Sequence, residues 1–222
     1  MSQGPTRDGV RWWAWAAVVA QVVFVLSWLL AGLWQRPRYD ALDHSISDMY
    51  AVTAPAGLFL VVVLTVCGAV TIGFALLSVR PVLRAAGWTA TVGSWCLALS
   101  ILGLGDLLSA FEQEACQLAD PGCTDADQLG SAGGRLDAIL SAAGLLLLVA
   151  SGFFLGAAMR RVPGWRPRAR LATWAAVVLI VLLLATGLLG GVGLDGLAER
   201  LLAAFAAAAV GLLAVGVLRR PA

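Results

Sequence analysis

The sequence predicts an all-α, polytopic membrane protein, a bundle of six transmembrane helices joined by short loops. Two observations carry this. Hydrophobic residues make up 60% of the 222 and charged residues only 13%, more apolar side chain than a water-soluble domain hides. The mean hydropathy of +0.89 comes from apolar runs that recur along the whole chain. The longest polar connection, about two dozen residues, is too short to bury a core of its own, so residues 1–222 are read as one membrane domain.

About 20 apolar residues cross the ~30 Å hydrocarbon layer as a helix, the open-ended shape that pairs its own backbone without water. The runs fall at 12–34, 54–79, 85–110, 136–159, 171–192 and 197–218. The first ends in Trp34, Gln35 and Arg36 without a small-residue cleavage site, and is read as a retained anchor. The second follows Thr53-Ala54-Pro55, a cap residue and a proline suited to a first turn. The third carries Asp106 in "ILGLGDLLSAF", roughly 7 Å below its end at ~1.5 Å per residue. The fourth opens on "GRLDAIL", with Arg135 and Asp137, and the fifth follows the basic stretch "RRVPGWRPRAR". The sixth begins "LDGLAERLL", where Asp195 and Glu199 suit the positive end of a helix and Arg200 follows one residue later.

Arginine placement orients the bundle. Arg7, Arg11, Arg80, Arg84, Arg160, Arg161, Arg166, Arg168, Arg170, Arg219 and Arg220 share one side, against Arg36, Arg38, Arg135 and Arg200 on the other, so both termini are expected to be cytoplasmic. Apart from Asp8, every acidic residue lies toward the outer side. All the basic residues are arginine and none is lysine, usage that suggests a GC-rich bacterial genome and, with the spans, a multi-pass protein of the bacterial inner membrane. These arginines flank spans and form no separate basic domain, so the expected partner is the lipid bilayer and not nucleic acid. Cys116 and Cys123 share the outer loop 111–135 across a Pro-Gly turn and are expected to form a disulfide; Cys67 and Cys96 read as buried apolar residues.

An ionisable side chain within a span is costly and turns toward the bundle interior or a wet cavity. Asp106 and Asp137 are the candidates, with Arg135, Arg200 and His44 as neighbours at the same depth and Ser47 and Asp48 from the first loop. A buried aspartate beside an arginine makes a structural salt bridge; without one, it can bind a headgroup, a cation or a proton. His44 is the only histidine, and a Ser/His/Asp set this close in sequence seldom orients as a triad, so no catalytic residues are assigned. Arginines around the carboxylates argue against a metal, and no cofactor is expected.

In order along the chain, the N-terminal anchor, "HSISDMYA", the glycine pattern of the second helix, "CQLADPGCTDADQLGSAGGRLDAIL" and "GLAERLLA" resemble a bacterial family of small six-helix membrane proteins catalogued as domain of unknown function 998. The resemblance spans about residues 10 to 218. It implies the six-helix fold and places the family's motifs at Ser47 with Asp48, Asp120 with Pro121, and Arg200. The histidine that members carry at the start of the fourth helix is Asp137 here, which argues against carrying over a family-wide metal or acid–base site.

The expected function is an integral membrane protein with a polar outer-leaflet site, built from the first loop and the ends of helices three, four and six. Its ligand would be a lipid headgroup, a small solute or a partner protein. A small-solute or proton-coupled transporter using Asp106, and an outer-face hydrolase using His44 and Asp48, are the alternatives.

Overall fold

Backbone groups that leave water must be paired within the protein, and this chain meets that demand with helices. The computed structural model describes residues 6–189 and 193–219, and among them there is no strand. Helix α1 (Arg7–Trp34) starts where the Thr6 side chain accepts the Gly9 N–H. Helix α2 (Gly57–Ala86) contains a π-helical stretch at Ala75–Val79. Helices α3 (Trp88–Ala98) and α4 (Ile101–Leu108) are together long and apolar enough for one crossing and are bent by 44° at the short break between them. A short α5 (Asp125–Gly130), closed by a reciprocal Thr124–Asp127 cap, precedes α6 (Ala132–Arg161), α7 (Arg166–Leu189) and α8 (Asp195–Leu218). Among the described residues five helices are long and apolar enough to cross a membrane alone, and the bent pair brings the number to six when it is taken as one span. The protein is therefore a multi-pass, all-α membrane bundle.

Spanning helices that follow one another in the chain pack side by side, and α8 returns to pack on α1. The crossings thus close into a ring. Residues 35–56 and 109–131 and the start of α8 gather at one end, the loop-rich end; the turns at 84–88 and 161–166 lie at the other, the arginine-rich end.

Several helix ends differ from the sequence expectation, each for a local reason. Helix α2 starts at Gly57 because Ala56 adopts a left-handed φ of 56°, while Thr53 bonds to the third loop instead of capping. The third crossing breaks at Ser100, whose extended backbone (ψ 175°) interrupts the ladder and whose hydroxyl donates to Leu97 O. Helix α6 begins at Ala132, capped by the Ser131 side chain on Gly134 N–H. The fifth crossing begins at Arg166, and the last three residues of the expected 171–192 run, like Arg220, lie outside the described residues. The break at Ser100 sets the height of Asp106. Gly68 of α2 sets its lateral position, because a Cβ there would collide with the backbone of Gly103, Asp106 and Leu107. Only a glycine lets α2 and α4 approach this closely.

Candidate functional site

The ring encloses a cavity of about 340 Å³ in its loop-rich half. Every crossing contributes to the wall: Phe24 from α1, Leu64 from α2, Leu102 and Asp106 from α4, Asp137, Ser141 and Leu145 from α6, Thr186 from α7, and Asp195, Glu199 and Leu202 from α8. The roof is a short 3-10 turn, Ser47–Tyr50. With three residues per turn, Ser47 and Tyr50 share a face and both line the cavity, while Asp48 and Met49 point elsewhere. This one turn divides the "SDMY" stretch between two environments.

Four carboxyl groups face the cavity and no lysine or arginine lines it. Asp137 accepts from the Tyr50 hydroxyl at 3.2 Å, and Glu199 accepts the Ile46 N–H at 3.1 Å. Asp195 Oδ1 is buried without a partner. Asp106 is only 8% exposed, and its carboxyl makes no hydrogen bond or ion pair among the described residues. Burial pushes the Tyr50 phenol well above its ordinary value, and the nearby charge of Asp137 adds to the shift; Tyr50 therefore stays a donor to that carboxylate.

Arg200, expected beside the aspartates, does something else. Its Nη1 donates to Ala41 O, His44 O and Gly196 O at 2.8–2.9 Å, and its Nη2 donates to the Tyr39 hydroxyl and approaches Met49 Sδ. The guanidinium also lies over the rings of Trp28 and Tyr39. Arg200 is a clamp that fastens the first loop to the start of α8. Gly196 makes the approach feasible, since a Cβ there would collide with the carbonyls of Ala41 and His44. Burial raises the Tyr39 phenol despite the adjacent Arg200.

On its far side the first loop meets the third. Asp48 is fully buried; its Oδ1 accepts from Leu118 N at 2.6 Å and from Gln128 Nε2 at 3.1 Å. The same Gln128 nitrogen stands 2.9 Å from Glu114 Oε2 and from Cys116 O. An amide nitrogen has two hydrogens for these three acceptors, so a proton on one carboxyl relieves the competition. Burial raises Asp48 above the usual carboxylate range and pushes Glu112 and Glu114 up to about 8, in both cases with the Asp137 charge as the next cause. Cys116 and Cys123 sit as a bonded pair with Cα atoms 6.1 Å apart, closing the loop that supplies Leu118.

The sequence-derived site residues therefore part company. Asp106, Asp137 and Ser47 meet at the cavity, Asp48 and Arg200 hold the loops around it, and Arg135 is exposed. The His44 ring faces its own loop, Nδ1 standing 3.1 Å from both the N and the O of Asp40, and no hydrogen bond joins it to Asp48. Among the described residues, no three carboxylate, imidazole or thiol groups are placed to share a metal ion. Sequence reasoning missed Tyr39, Tyr50, Glu114 and Gln128, and read Asp195 and Glu199 as helix-start residues alone. Ser141 and Thr186, polar residues within spans, were the available signal for the cavity wall.

The match to known proteins is of one kind. A family described as protein of unknown function (DUF998) matches residues 18–216. The chain belongs to this family. No curated protein and no solved structure matches it. The match covers every cavity residue and the Arg200 clamp, so the site lies within the part of the chain shared with DUF998.

Proposed function

We propose that this DUF998 protein is a membrane-embedded binding protein whose axial cavity takes up a cationic group, the amine of a lipid headgroup or of a small amphiphilic solute. The observation that carries the reading is Asp106, a carboxyl more than nine-tenths buried that lines the cavity with no partner among the described residues. An ionised carboxylate taken from water without a partner is expensive, and an entering cation supplies the missing charge. Asp137, Asp195 and Glu199 add acceptors around the same space, while Phe24, Leu64 and Leu102 offer an apolar floor for hydrocarbon. A largely apolar wall with a few converging polar groups is the usual make-up of a small-molecule site.

The lining reaches Phe24, Leu145 and Ala206, about half-way along their helices, and Leu64 and Leu102, nearer the loop-rich end, which favours entry from one end over a transport path. The His44 ring is engaged with Asp40, which disfavours hydrolysis through His44 and Asp48. We place the loop-rich end outside the cytoplasm of a bacterial cell, with the cavity in the outer leaflet, because eleven of the fifteen arginines belong to the opposite side. The Cys116–Cys123 bond would persist in that compartment.

The test uses the purified full chain in detergent with octylamine and its uncharged counterpart octanol. Octylamine is expected to raise the unfolding temperature in a saturable manner and octanol not to, with Asp106→Asn abolishing the amine response. Equal responses to both probes, or an undiminished response in Asp106→Asn, would refute the reading.

A further inference from the structure

A second cavity lies in the arginine-rich half, a groove of about 310 Å³ between α6, α7 and α8 that reaches Leu97 of α3. Its wall is apolar apart from Ser151 until one end, where Arg168 lines it. Small residues, among them Gly152, Ala175 and Ala208, make the space. Along α7 the lining runs from residue 168 to residue 179, about 16 Å at ~1.5 Å per residue, which is one leaflet's share of the ~30 Å hydrocarbon layer. The groove has bilayer access: only 22% of the spanning stretch of α6 and 11% of that of α7 is buried within the protein.

The charged end is unbalanced. The Arg168 guanidinium lies 5.4 Å over the ring of the fully buried Trp165, which holds it at the mouth of the groove. It has no carboxylate or carbonyl partner among the described residues. Arg160, Arg161, Arg166 and Arg170 surround it with exposed side chains, and between Asp137 and Asp195 the sequence has no acidic residue. Among the described residues no acidic side chain pairs with this arginine cluster, which leaves it open to an anionic group from the bilayer.

We propose that this groove holds one acyl chain of an anionic phospholipid, with its phosphate on Arg168. A guanidinium fork matches phosphate oxygens in a paired geometry, and the neighbouring arginines favour a lipid whose headgroup brings no compensating amine. The apolar length selects for a chain lying alongside α7, and the arginine at its end selects for a phosphate at headgroup depth. This site is independent of the acidic cavity, which lies in the other half of the ring.

Trp165 and Trp174 line the groove, so lipids brominated in the acyl chain report on it by fluorescence quenching. The full chain, in phosphatidylcholine nanodiscs, is titrated with brominated phosphatidylglycerol or brominated phosphatidylcholine. Phosphatidylglycerol is expected to quench at about tenfold lower mole fraction, the effect of one charged contact. Arg168→Gln brings it to the phosphatidylcholine level, while Arg38→Gln, on an exposed residue of the first loop at the opposite end of the bundle, leaves it unchanged. Equal quenching by both lipids in the unaltered protein overturns the proposal without recourse to any variant. An unchanged preference in Arg168→Gln, or displacement of brominated phosphatidylglycerol by millimolar inorganic phosphate, overturns it as well.

Discussion

Replacing Arg200 by methionine keeps the length of the stem and removes every N–H of the clamp. The guanidinium serves three backbone carbonyls at 2.8–2.9 Å, the Tyr39 hydroxyl and the Met49 sulfur. Hydrogen bonds to a charged donor contribute ~1.5–3 kcal/mol each where they are shielded from water. Arg200 is half-buried, so water replaces part of the loss, and the net cost should be about 3–4 kcal/mol, near the lower end of what removing one partner of a buried pair costs. At ~2–4 °C per kcal/mol for a chain of this size, the unfolding temperature in detergent should fall by about 10 °C. The damage should be local as well, with amide hydrogen exchange of residues 39–50 accelerating before that of the helix interiors. Arg200→Lys keeps the charge but cannot reach three carbonyls and a hydroxyl at once, so it should recover about half the loss. An Arg200→Met protein that unfolds within about 2 °C of the parent, with unchanged exchange in residues 39–50, would refute the clamp; so would a lysine variant as stable as the parent.

Three further outcomes follow from the same geometry. Glu112 and Glu114 are pushed up to about 8 from an ordinary 4.5, so the folded state keeps protons that the unfolded state releases; their stabilising contribution is complete below about pH 4.5 and is lost as pH rises through about 8. The unfolding temperature should therefore decline over that window, and Glu114→Gln should flatten the decline. Maleimide labelling of the unfolded, unreduced protein should add two groups, at Cys67 and Cys96, and four after reduction; Cys116→Ser should cost about 2–3 kcal/mol for a ring this short on the chain-entropy estimate, read from thermal unfolding. Gly68→Ala should destabilise by about 1–3 kcal/mol because its Cβ meets backbone that cannot yield, whereas Gly211→Ala, with open space around it, should be neutral or slightly stabilising in the same melt.

Much of the fold was legible because a lipid solvent leaves few choices. Runs of about 20 apolar residues can only be helices, and the order of "HSISDMYA", the two-cysteine loop and "GLAERLLA" along the chain points to the family by itself. The site was legible in part. Asp106 and Asp137 drew notice because carboxyls in apolar spans are costly. The helix-start reading of Asp195 and Glu199 was chemically sufficient and hid their second position on the cavity wall. Arg200 was expected to meet aspartates, since charge pairing is what sequence proximity suggests; backbone carbonyls, which no residue type announces, took it instead.

Composition and hydropathy by themselves determined that this chain is an all-α, multi-pass membrane protein, and the motif order determined its family, because both depend on residue type along the chain and not on its path in space. Which polar residues meet was decided by tertiary structure alone. The closed ring, the break at Ser100 and the missing Cβ of Gly68 bring Asp106 to the axis, and the three-residue period of one short turn sends Ser47 and Tyr50 toward the cavity while turning Asp48 to the opposite loop. Distances between side chains on different helices depend on how closely backbones pack, and that is a property of the assembled bundle.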